Sequence, residues 1–321
     1  MNRRSVLLGG AATLACMSLS ACHSPDEPLR VALNDWIGYS PLVLAQELGH
    51  VDEATVRLVE QPSNTASMMA LANRELSVAA LTLDEFLLAR EGGLDVRAVM
   101  VFNESHGADV VMAHPAIAEL RALKGKRIGV ESSAVGALML ARLLERAQLE
   151  PSELDQVTLT ADQHVKAYAA GQVDAVITFE PMASQLRAQG AKVLLDSSHF
   201  PGLIVDVLVA HAELPARQHG HLRRLLAGHF AAVSHLRRDP VDAARRLAPH
   251  QQLTPDEVRQ AFSGIHLLDL NDNRQWLSGP QPRLIDSVRS VATIMQSSRL
   301  LGRLPALDGL CDASFLPEGN A

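Results

Sequence analysis

Residues 33–41 read LNDWIGYSP. Just before them, residues 29–33 (LRVAL) are apolar enough to form a short strand. Just after them, Ser40 and Pro41 suit the N-cap and first turn of a helix, and Gly49 suits its C′ position. We therefore predict a strand, a loop that holds the quoted stretch, and a helix over LVLAQEL.

Two scarce aromatic side chains fall in this predicted loop. The whole chain has 2 Trp and 2 Tyr, and Trp36 and Tyr39 are one of each. Either ring could stack on a ligand and use its polar tip as a partner, since loops carry binding residues disproportionately. Alternatively, both rings could fill the core where strand meets helix. The loop position favours the ligand-binding interpretation.

Outward from this loop, the alternation of strand and helix continues. Apolar runs of strand length recur, with helical segments between them, at 56–59, 78–81, 96–101, 126–130, 157–159 and 173–177. Residues 82–85 (TLDE) match the capping-box pattern ahead of one such helix. This alternation predicts an α/β fold with mostly parallel sheets whose faces are covered by helices.

Two segments of the chain share one order of elements. MALANRELSVAALTLDE, from Met69, and KAYAAGQVDAVITFEP, from Lys166, each read as helix, turn and apolar strand, followed by Thr, an apolar residue and a carboxylate. This order indicates two lobes of like construction, although a common α/β pattern could produce it by chance. After Asp206, the run VLVA predicts one more strand, and from residue 213 the chain is mainly helical.

Three motifs carry a resemblance to a known family. They are WIGYSP at 36–41, LKGKRIGV at 123–130, and AGQVDA at 170–175 leading to Glu180-Pro181. In this order they resemble the solute-binding proteins of ABC importers of the nitrate, sulfonate and taurine type, which include binders of thiamine-precursor pyrimidines. The resemblance extends from about residue 29 to 214. It implies a type II periplasmic-binding-protein fold, in which two lobes joined by two crossover segments close on a small molecule.

The resemblance also implies a domain layout and a function. The crossovers would lie near 105–112 and 205–211, so that lobe one comprises 29–108 plus 212–321 and lobe two comprises 109–211. The expected function is to capture a small molecule and deliver it to an ABC permease. Alternatives are a ligand-sensing subunit for a membrane receptor and a bilobal enzyme. The sequence has no nucleophile motif, phosphate-binding loop or zinc-type spacing, so we expect neither catalysis nor a cofactor or metal site.

The first 28 residues have the pattern of an export signal and a tether rather than that of a folded segment. Arg3 and Arg4, a short apolar run at 6–19 and the sequence LSAC at 19–22 resemble a bacterial lipoprotein signal peptide spanning 1–21. That resemblance implies acylation of Cys22, a polar tether over 22–28 and a lipid-anchored location on the periplasmic side of a membrane. The alternative is an uncleaved anchor helix, but the apolar run is shorter than the ~20 residues of a membrane span.

The cysteine count excludes a fold held together by disulfides, and the charge argues against a nucleic-acid binder. Once Cys16 and Cys22 are assigned to the signal and the lipid, Cys311 has no partner for an intramolecular disulfide. The formal net charge is −7 with acidic and basic residues interspersed, which argues against a nucleic-acid binder. The core must therefore stabilise the fold, and the partner is expected to be a small molecule.

Candidate ligand-binding residues follow from one rule about α/β sheets. Ligands sit beyond the carboxyl ends of the strands. That rule, applied to the predicted strand ends and crossovers, nominates Trp36, Tyr39, Ser63, Asn64, Thr82, Asp84, Asp109, Ser132, Ser133, Thr178, Glu180 and Asp206. The Ser, Thr and Asn residues could instead be helix caps only, and Asp84 and Glu180 could merely suit helix N-termini.

Asp109 and Asp206 have no such capping explanation. Each interrupts an apolar stretch, GADVVMA and LIVDVLVA, where a carboxylate is costly to bury without partners. We therefore interpret them as ligand contacts or as a lock between strands. The predicted loops contain carboxylates but no Lys or Arg, with His106 the only possible cation. An amine or cationic heterocycle stacked on Trp36 is thus favoured over an oxyanion, which would have to rely on helix N-termini.

Overall fold

The structure of the protein is a computed structural model, which describes residues 27–131 and 134–319. The predictions for the signal peptide over 1–21, for Cys22, and for Ser132 and Ser133 lie outside these residues. Within the described ranges, no helix is long and apolar enough to cross a bilayer.

Two sheets form the framework. In chain order the strands are β1 (Leu29–Leu33), β2 (Val56–Glu60), β3 (Val78–Thr82), β4 (Val96–Ser105), β5 (Asp109–Ala113), β6 (Arg127–Val130), β7 (Asp155–Thr158), β8 (Ala175–Phe179), β9 (Lys192–Asp196), β10 (Val205–His211) and β11 (Ile265–Leu267). A six-stranded sheet has the order β11-β4-β10-β3-β1-β2, and a five-stranded sheet has the order β7-β6-β8-β5-β9. We call the first sheet with its helices lobe one, and the second with its helices lobe two.

Both sheets are mixed, with most strands running in one direction: β1 to β4 in lobe one and β6 to β9 in lobe two, against β10, β11 and β5. In lobe one, β1 runs parallel to β2 and β3, but β10 is antiparallel to β3 and β4. In lobe two, β6 runs parallel to β7 and β8, but β5 is antiparallel to β8 and β9. The antiparallel strands β5 and β10 are those that arrive from the other lobe. Each of them enters its sheet at the edge where the parallel strands end, so it must run in the opposite direction.

Helices cover both faces of the sheets. They are α1 (Ser40–Glu47), α2 (Asn64–Ala72), α3 (Leu83–Glu91), α4 (Ala134–Ala147), α5 (His164–Ala169), α6 (Met182–Ala188), α7 (Ala216–Arg238), α8 (Pro240–Gln251), α9 (Pro255–Phe262), α10 (Leu270–Leu277) and α11 (Arg283–Ser297). Side chains alternate between the two faces, so that Val31 of β1 joins the apolar cluster under α1 and α7 while Ala32 joins the one under α3 and α11. The second of these clusters also includes Leu138 and Leu143 of α4, so it extends into lobe two.

Of two caps predicted in lobe one, Ser63 is confirmed and Ser40 is not. Ser63 caps α2, because its hydroxyl accepts a hydrogen bond from the N–H of Ala66 at 3.2 Å. Ser40, which we predicted as a cap, is instead the first residue of α1, and Tyr39 precedes it without a side-chain cap bond. A 3₁₀ turn over Ile37–Tyr39 leads directly into α1, so the backbone is already helical before Ser40.

The two motifs of lobe two contact each other through a salt bridge. Arg127, from LKGKRIGV, donates from Nη2 to Asp174 Oδ1 at 2.8 Å and from Nε to Oδ2 at 3.1 Å. Asp174, from AGQVDA, also accepts from the backbone N–H of Arg127 at 2.9 Å. This fork-shaped pairing joins the start of β6 to the turn before β8, so these motif residues stabilise lobe two rather than face a ligand.

The chain passes between the lobes twice. Residues 106–108 connect β4 to β5, and residues 197–204 connect β9 to β10. The sequence placed the second crossover at 205–211 and counted those residues in lobe two, but they form β10 of the six-stranded sheet. The two crossovers contact each other, because Ser197 Oγ lies 2.8 Å from Ser105 Oγ and accepts from the Gly107 N–H at 2.7 Å.

Candidate ligand-binding site

The candidate site lies where the strand ends of the two lobes face each other. In lobe one, Asp206 at the start of β10 pairs in register with Thr82 at the end of β3. In lobe two, Asp109 at the start of β5 pairs with Phe179 at the end of β8. Because β5 and β10 run antiparallel to these neighbours, their first residues reach the edge at which α/β sheets bind ligands.

A pocket lies between these edges. We call it the central pocket; it is lined by Asn34, Trp36, Asn64, Thr82, Glu85, Asp109, Glu131, Val135, Phe179, Ile204 and Asp206. A neighbouring space, the side chamber, is lined by Asp109, Glu131, Val135, Gly136, Met139, His164, Ile177, Thr178 and Phe179. Both lobes therefore contribute walls to the central pocket, and Asp109, Glu131, Val135 and Phe179 are shared with the side chamber.

Trp36 and Tyr39, the two aromatics of the opening stretch, take different positions. Trp36 lines the central pocket, and its ring meets the edge of Phe179 of lobe two at a centroid distance of 5.7 Å. Tyr39 is fully buried behind the pocket, with its ring 4.9 Å from that of Phe102. Its hydroxyl donates to Asp206 Oδ1 at 2.7 Å. The core interpretation thus describes Tyr39, which holds Asp206 in place, whereas Trp36 is positioned as a ligand contact requires.

Gly38 leaves room for the Trp36 indole, and this gives a first prediction. A Cβ at position 38 would lie 2.2 Å from Trp36 Nε1 and 2.4 Å from Asn103 Nδ2. We expect Gly38→Ala to lower the free energy of unfolding by about 1–3 kcal/mol in urea titrations, because both buried groups must move. Gly220→Ala is the matched control, since a Cβ on that exposed residue of α7 meets nothing within 4 Å. An unchanged urea midpoint for Gly38→Ala would contradict the packing.

Several buried acceptor atoms of the central pocket lack a hydrogen-bond donor. They are Asn64 Oδ1, Glu85 Oε1, Asp109 Oδ2 and Asp206 Oδ2. Each of these residues is less than one-tenth exposed. An unsatisfied buried polar atom costs about 1–3 kcal/mol, and more when the group is charged. Such a set in a single pocket indicates that a ligand supplies the missing donors.

Burial also shifts the acidity of these carboxyl groups. It raises the pKa of Asp109 and of Glu131 to about 7, and that of the neighbouring Asp84 to about 6. Burial raises the pKa of Asp206 and of Glu85 well above the ordinary carboxyl range. None of the described residues that line the two spaces is Lys or Arg. The cavity therefore favours neutral carboxyls while empty and would favour the ionised forms beside a cation.

Most of the sequence-nominated residues lie at or beside this cavity. Those that line the central pocket are Trp36, Asn64, Thr82, Asp109 and Asp206, and Thr178 lines the side chamber. Asp84 is buried next to them, with its Oδ2 without a partner. Their role in ligand binding stays a prediction, but the strand-end rule brought them together correctly.

Ser63, Glu180 and His106 do not line the cavity. Ser63 acts as the cap of α2, and the Glu180 carboxylate accepts from the Ser184 N–H at 2.9 Å and from Arg187 Nη1 at 3.4 Å. These are the structural roles that the sequence left open for both residues. His106, the one cation considered from the sequence, is exposed on the first crossover.

Several residues that line the cavity were not nominated from the sequence. Asn34 and Glu131 directly follow β1 and β6, so the same strand-end rule would have found them. Glu85 was assigned to the capping box alone. Its Oε2 does accept from the Thr82 N–H at 3.0 Å and from the Thr82 hydroxyl at 2.9 Å, while Oε1 has no partner. His164, in the side chamber, carried no distinguishing signal.

Comparison with known proteins shows where this fold occurs. The chain is 25% identical over 241 residues, 71% of this chain and 72% of the other, to a Brucella abortus protein named "Putative binding protein". The alkanesulfonate-binding protein SsuA from Xanthomonas axonopodis pv. citri, bound to MOPS, has a TM-score of 0.73 at 20% identity and covers 87% of this chain and 96% of its own. The ligand-binding component of an ABC-type import system from Staphylococcus aureus, with zinc bound, has a TM-score of 0.74 at 15% identity and covers 92% and 99%.

These likenesses establish the two-lobed fold of periplasmic binding proteins that the sequence predicted. The family model described as "NMT1/THI5 like" matches residues 36–243, which includes the aromatic loop, both motifs of lobe two and every residue that lines the central pocket except Asn34. The chain belongs to the NMT1/THI5-like family.

Proposed function

We propose that this protein is an extracytoplasmic solute-binding protein that holds a small molecule between its lobes and delivers it to the permease of an ABC importer. Its fold is that of binding proteins, and one of its structural relatives is the ligand-binding component of an ABC-type import system. A ligand in the central pocket would contact Asp206 of lobe one and Asp109 of lobe two at once. Such contacts stabilise the closed arrangement over an open one, because only the closed form offers both.

The observation that carries the ligand class is the set of buried acceptors without donors. A ligand with a positive charge and several N–H groups would satisfy Asn64, Glu85, Asp109 and Asp206 together. An amine or a cationic nitrogen heterocycle meets this requirement, and a flat heterocycle could also lie against Trp36.

An oxyanion is the competing ligand class, because the structural relative from Xanthomonas axonopodis binds alkanesulfonates. An anion in this cavity would face the carboxyls of Glu85, Asp109, Glu131 and Asp206 without a lining Lys or Arg among the described residues. The ionised carboxylates would repel an anion strongly in a low-dielectric pocket, so an oxyanion would require all of these carboxyls to stay protonated. The side chains described here therefore favour a cation.

A thermal-shift screen of the purified protein tests this proposal. The probes are butylamine, 4-aminopyrimidine, ethanesulfonate and nitrate, each titrated to millimolar concentration at pH 8. We expect an amine or aminopyrimidine to raise the melting temperature, because a ligand at about a hundredfold its Kd adds roughly 2.7 kcal/mol to stability. Stabilisation by the oxyanions alone would refute the cation proposal while leaving the binding-protein proposal intact.

The alternatives from the sequence are a receptor-associated sensor and an enzyme. Mass spectrometry of a probe recovered after incubation separates the enzyme, since a binding protein returns the probe unchanged. A sensor would bind in the same cavity, so only association with a permease, rather than with a receptor, distinguishes the transport role. Anchoring through a lipid on Cys22 is part of the transport proposal and rests on the LSAC sequence at 19–22.

A further inference from the structure

The cavity has two compartments of different chemistry that meet at shared walls. Asp109 and Glu131 line both the central pocket and the side chamber, as do Val135 and Phe179. A ligand that filled only the central pocket would leave the buried His164 Nε2 of the side chamber without a partner. The ligand is therefore expected to extend past Asp109 into lobe two.

The side chamber has a polar end within an apolar wall. His164 Nδ1 lies 3.0 Å from Thr178 Oγ1, and the other ring nitrogen, Nε2, is buried without a partner. Burial lowers the pKa of His164 to about 4, so its ring is neutral near pH 7. When Nδ1 carries the hydrogen and donates to Thr178, Nε2 is an acceptor. Met139 and Ile177 supply apolar surface in the same space.

Acceptors therefore lie in both compartments. The central pocket offers Asp206 Oδ2, Asp109 Oδ2, Glu85 Oε1 and Asn64 Oδ1, the side chamber offers His164 Nε2, and the Glu131 carboxyl group lies on the wall that both share. A compact cation with one donor end would satisfy the first group and leave the second unpaired. The stretch between the two groups is suited to methylene or ring carbons, because its walls are apolar.

We propose that the ligand is two-ended: a cationic head bound among Asp206, Asp109, Glu85 and Asn64, a short carbon spacer, and a second N–H-bearing group bound by Glu131 and His164. This inference rests on the proposed function, since it deepens the cation assignment for the same site. The chemical class is a small diamine, aminoalkyl-amidine or aminoalkyl heterocycle.

Calorimetric titration with two matched series tests the two-ended assignment. The probes are α,ω-diamines of three to six carbons and n-alkylamines of the same carbon counts, titrated into the purified protein at pH 8. We expect one diamine length to bind at least about tenfold more tightly than the alkylamine of equal length. That ratio is the size expected for one additional charge-assisted hydrogen bond.

Two variants assign the ends. Glu131→Gln should bring the diamine-to-monoamine ratio close to one, because it removes the charge at the second end. Asp206→Asn should weaken both series by a similar factor, because both place an ammonium at the first end. Residual alkylamine binding by Glu131→Gln reports that the variant is folded, and His164→Leu, which should lower the same ratio, provides an independent second test.

The outcomes separate this inference from the proposed function. Equal affinities for diamines and alkylamines at every length would overturn the two-ended assignment alone, and would show that the side chamber takes an apolar tail. A diamine preference that Glu131→Gln and His164→Leu both leave unchanged would also overturn it. Binding of ethanesulfonate with no binding of either amine series would overturn the cation proposal and this inference together.

Discussion

Replacing Asp206 with Asn is expected to reduce the affinity for a cationic probe by roughly a hundredfold. Asp206 is 1% exposed, its Oδ1 accepts from the Tyr39 hydroxyl, and its Oδ2 has no partner. A ligand ammonium or amidinium that pairs with Oδ2 does so away from water, where removal of one member of a charge pair costs about 2–5 kcal/mol. Asn keeps the shape of the side chain but removes the charge. Calorimetric titration with the amine or aminopyrimidine that stabilises the wild-type protein measures the loss.

Loss of binding in this variant is not expected to come from unfolding. The free Asp206→Asn protein should be at least as stable as wild type, because an unpaired buried carboxyl is replaced by a neutral amide. Asp174→Asn is the matched control at a distance from the cavity. It weakens the pairing with Arg127 in lobe two, so it should lower stability while leaving affinity unchanged. Wild-type affinity in Asp206→Asn would place the cationic group elsewhere.

The free protein is expected to lose stability as the pH rises from about 6.5 to about 9, whereas its affinity for a permanently charged cation should increase over the same range. Burial raises the pKa of Asp109 and of Glu131 to about 7 and places those of Glu85 and Asp206 well above the ordinary range. The folded state therefore binds more protons than the unfolded chain. The stability that these groups contribute is complete below about pH 4, and it is lost as the pH rises through their folded pKa values.

Two buried histidines determine the lowest pH at which the effect of the carboxyl groups on stability can be measured by itself. Burial lowers the pKa of His164 to about 4 and that of His229 to about 3. Both rings stay neutral in the folded protein while the unfolded chain takes up protons below about pH 6.5, so they destabilise the fold as the pH falls. This effect opposes that of the carboxyls between about pH 4 and 6.5. Above pH 6.5 the carboxyl effect is observed without it.

Asp109→Asn isolates the largest defined contribution to this pH dependence. A pKa raised from 3.8 to about 7 means that the folded protein loses about 4 kcal/mol of stability when the Asp109 carboxyl ionises. The variant should therefore unfold at higher denaturant concentration than wild type at pH 8, and at nearly the same concentration at pH 4. Urea titrations at both pH values measure the difference. A constant difference between the proteins, or a stability that rises with pH above 6.5, would contradict the burial of these carboxyls as acids without basic partners.

The predicted strands and their helices were largely confirmed, because they depend on local chemistry. Residues 29–33 form β1 as expected, Gly49 follows α1 with a positive φ of 74°, and Glu85 accepts from Thr82 as the capping box requires. Either Ser63 or Asn64 was expected to cap the next helix on the same grounds, and Ser63 caps α2. In each case residues within one turn of each other determine the conformation, so the chain order contains the information.

The candidate site could be predicted in part. The rule that ligands lie beyond strand ends selected Trp36, Thr82 and Asp206 without reference to tertiary structure, and these residues line the central pocket. It could not separate Trp36, which faces the cavity, from Tyr39, which supports Asp206 from behind. The two rings lie three residues apart on one loop. They differ only in the direction in which the 3₁₀ turn points them.

The amino-acid sequence by itself determined the α/β class, the two-lobed plan, the aromatic loop and a shortlist of acidic residues, because periodicity, caps and turn residues act over a few positions. Only the tertiary structure decided that β10 enters lobe one antiparallel between β3 and β4, and that Glu85 and Glu131 line one pocket with Asp109 and Asp206. It also decided that, among the described residues, no Lys or Arg lines this pocket. The physical reason is that strand order and burial depend on contacts between residues far apart in the chain. A carboxylate becomes a strong acceptor for a ligand only when such contacts remove both water and counter-charge from it.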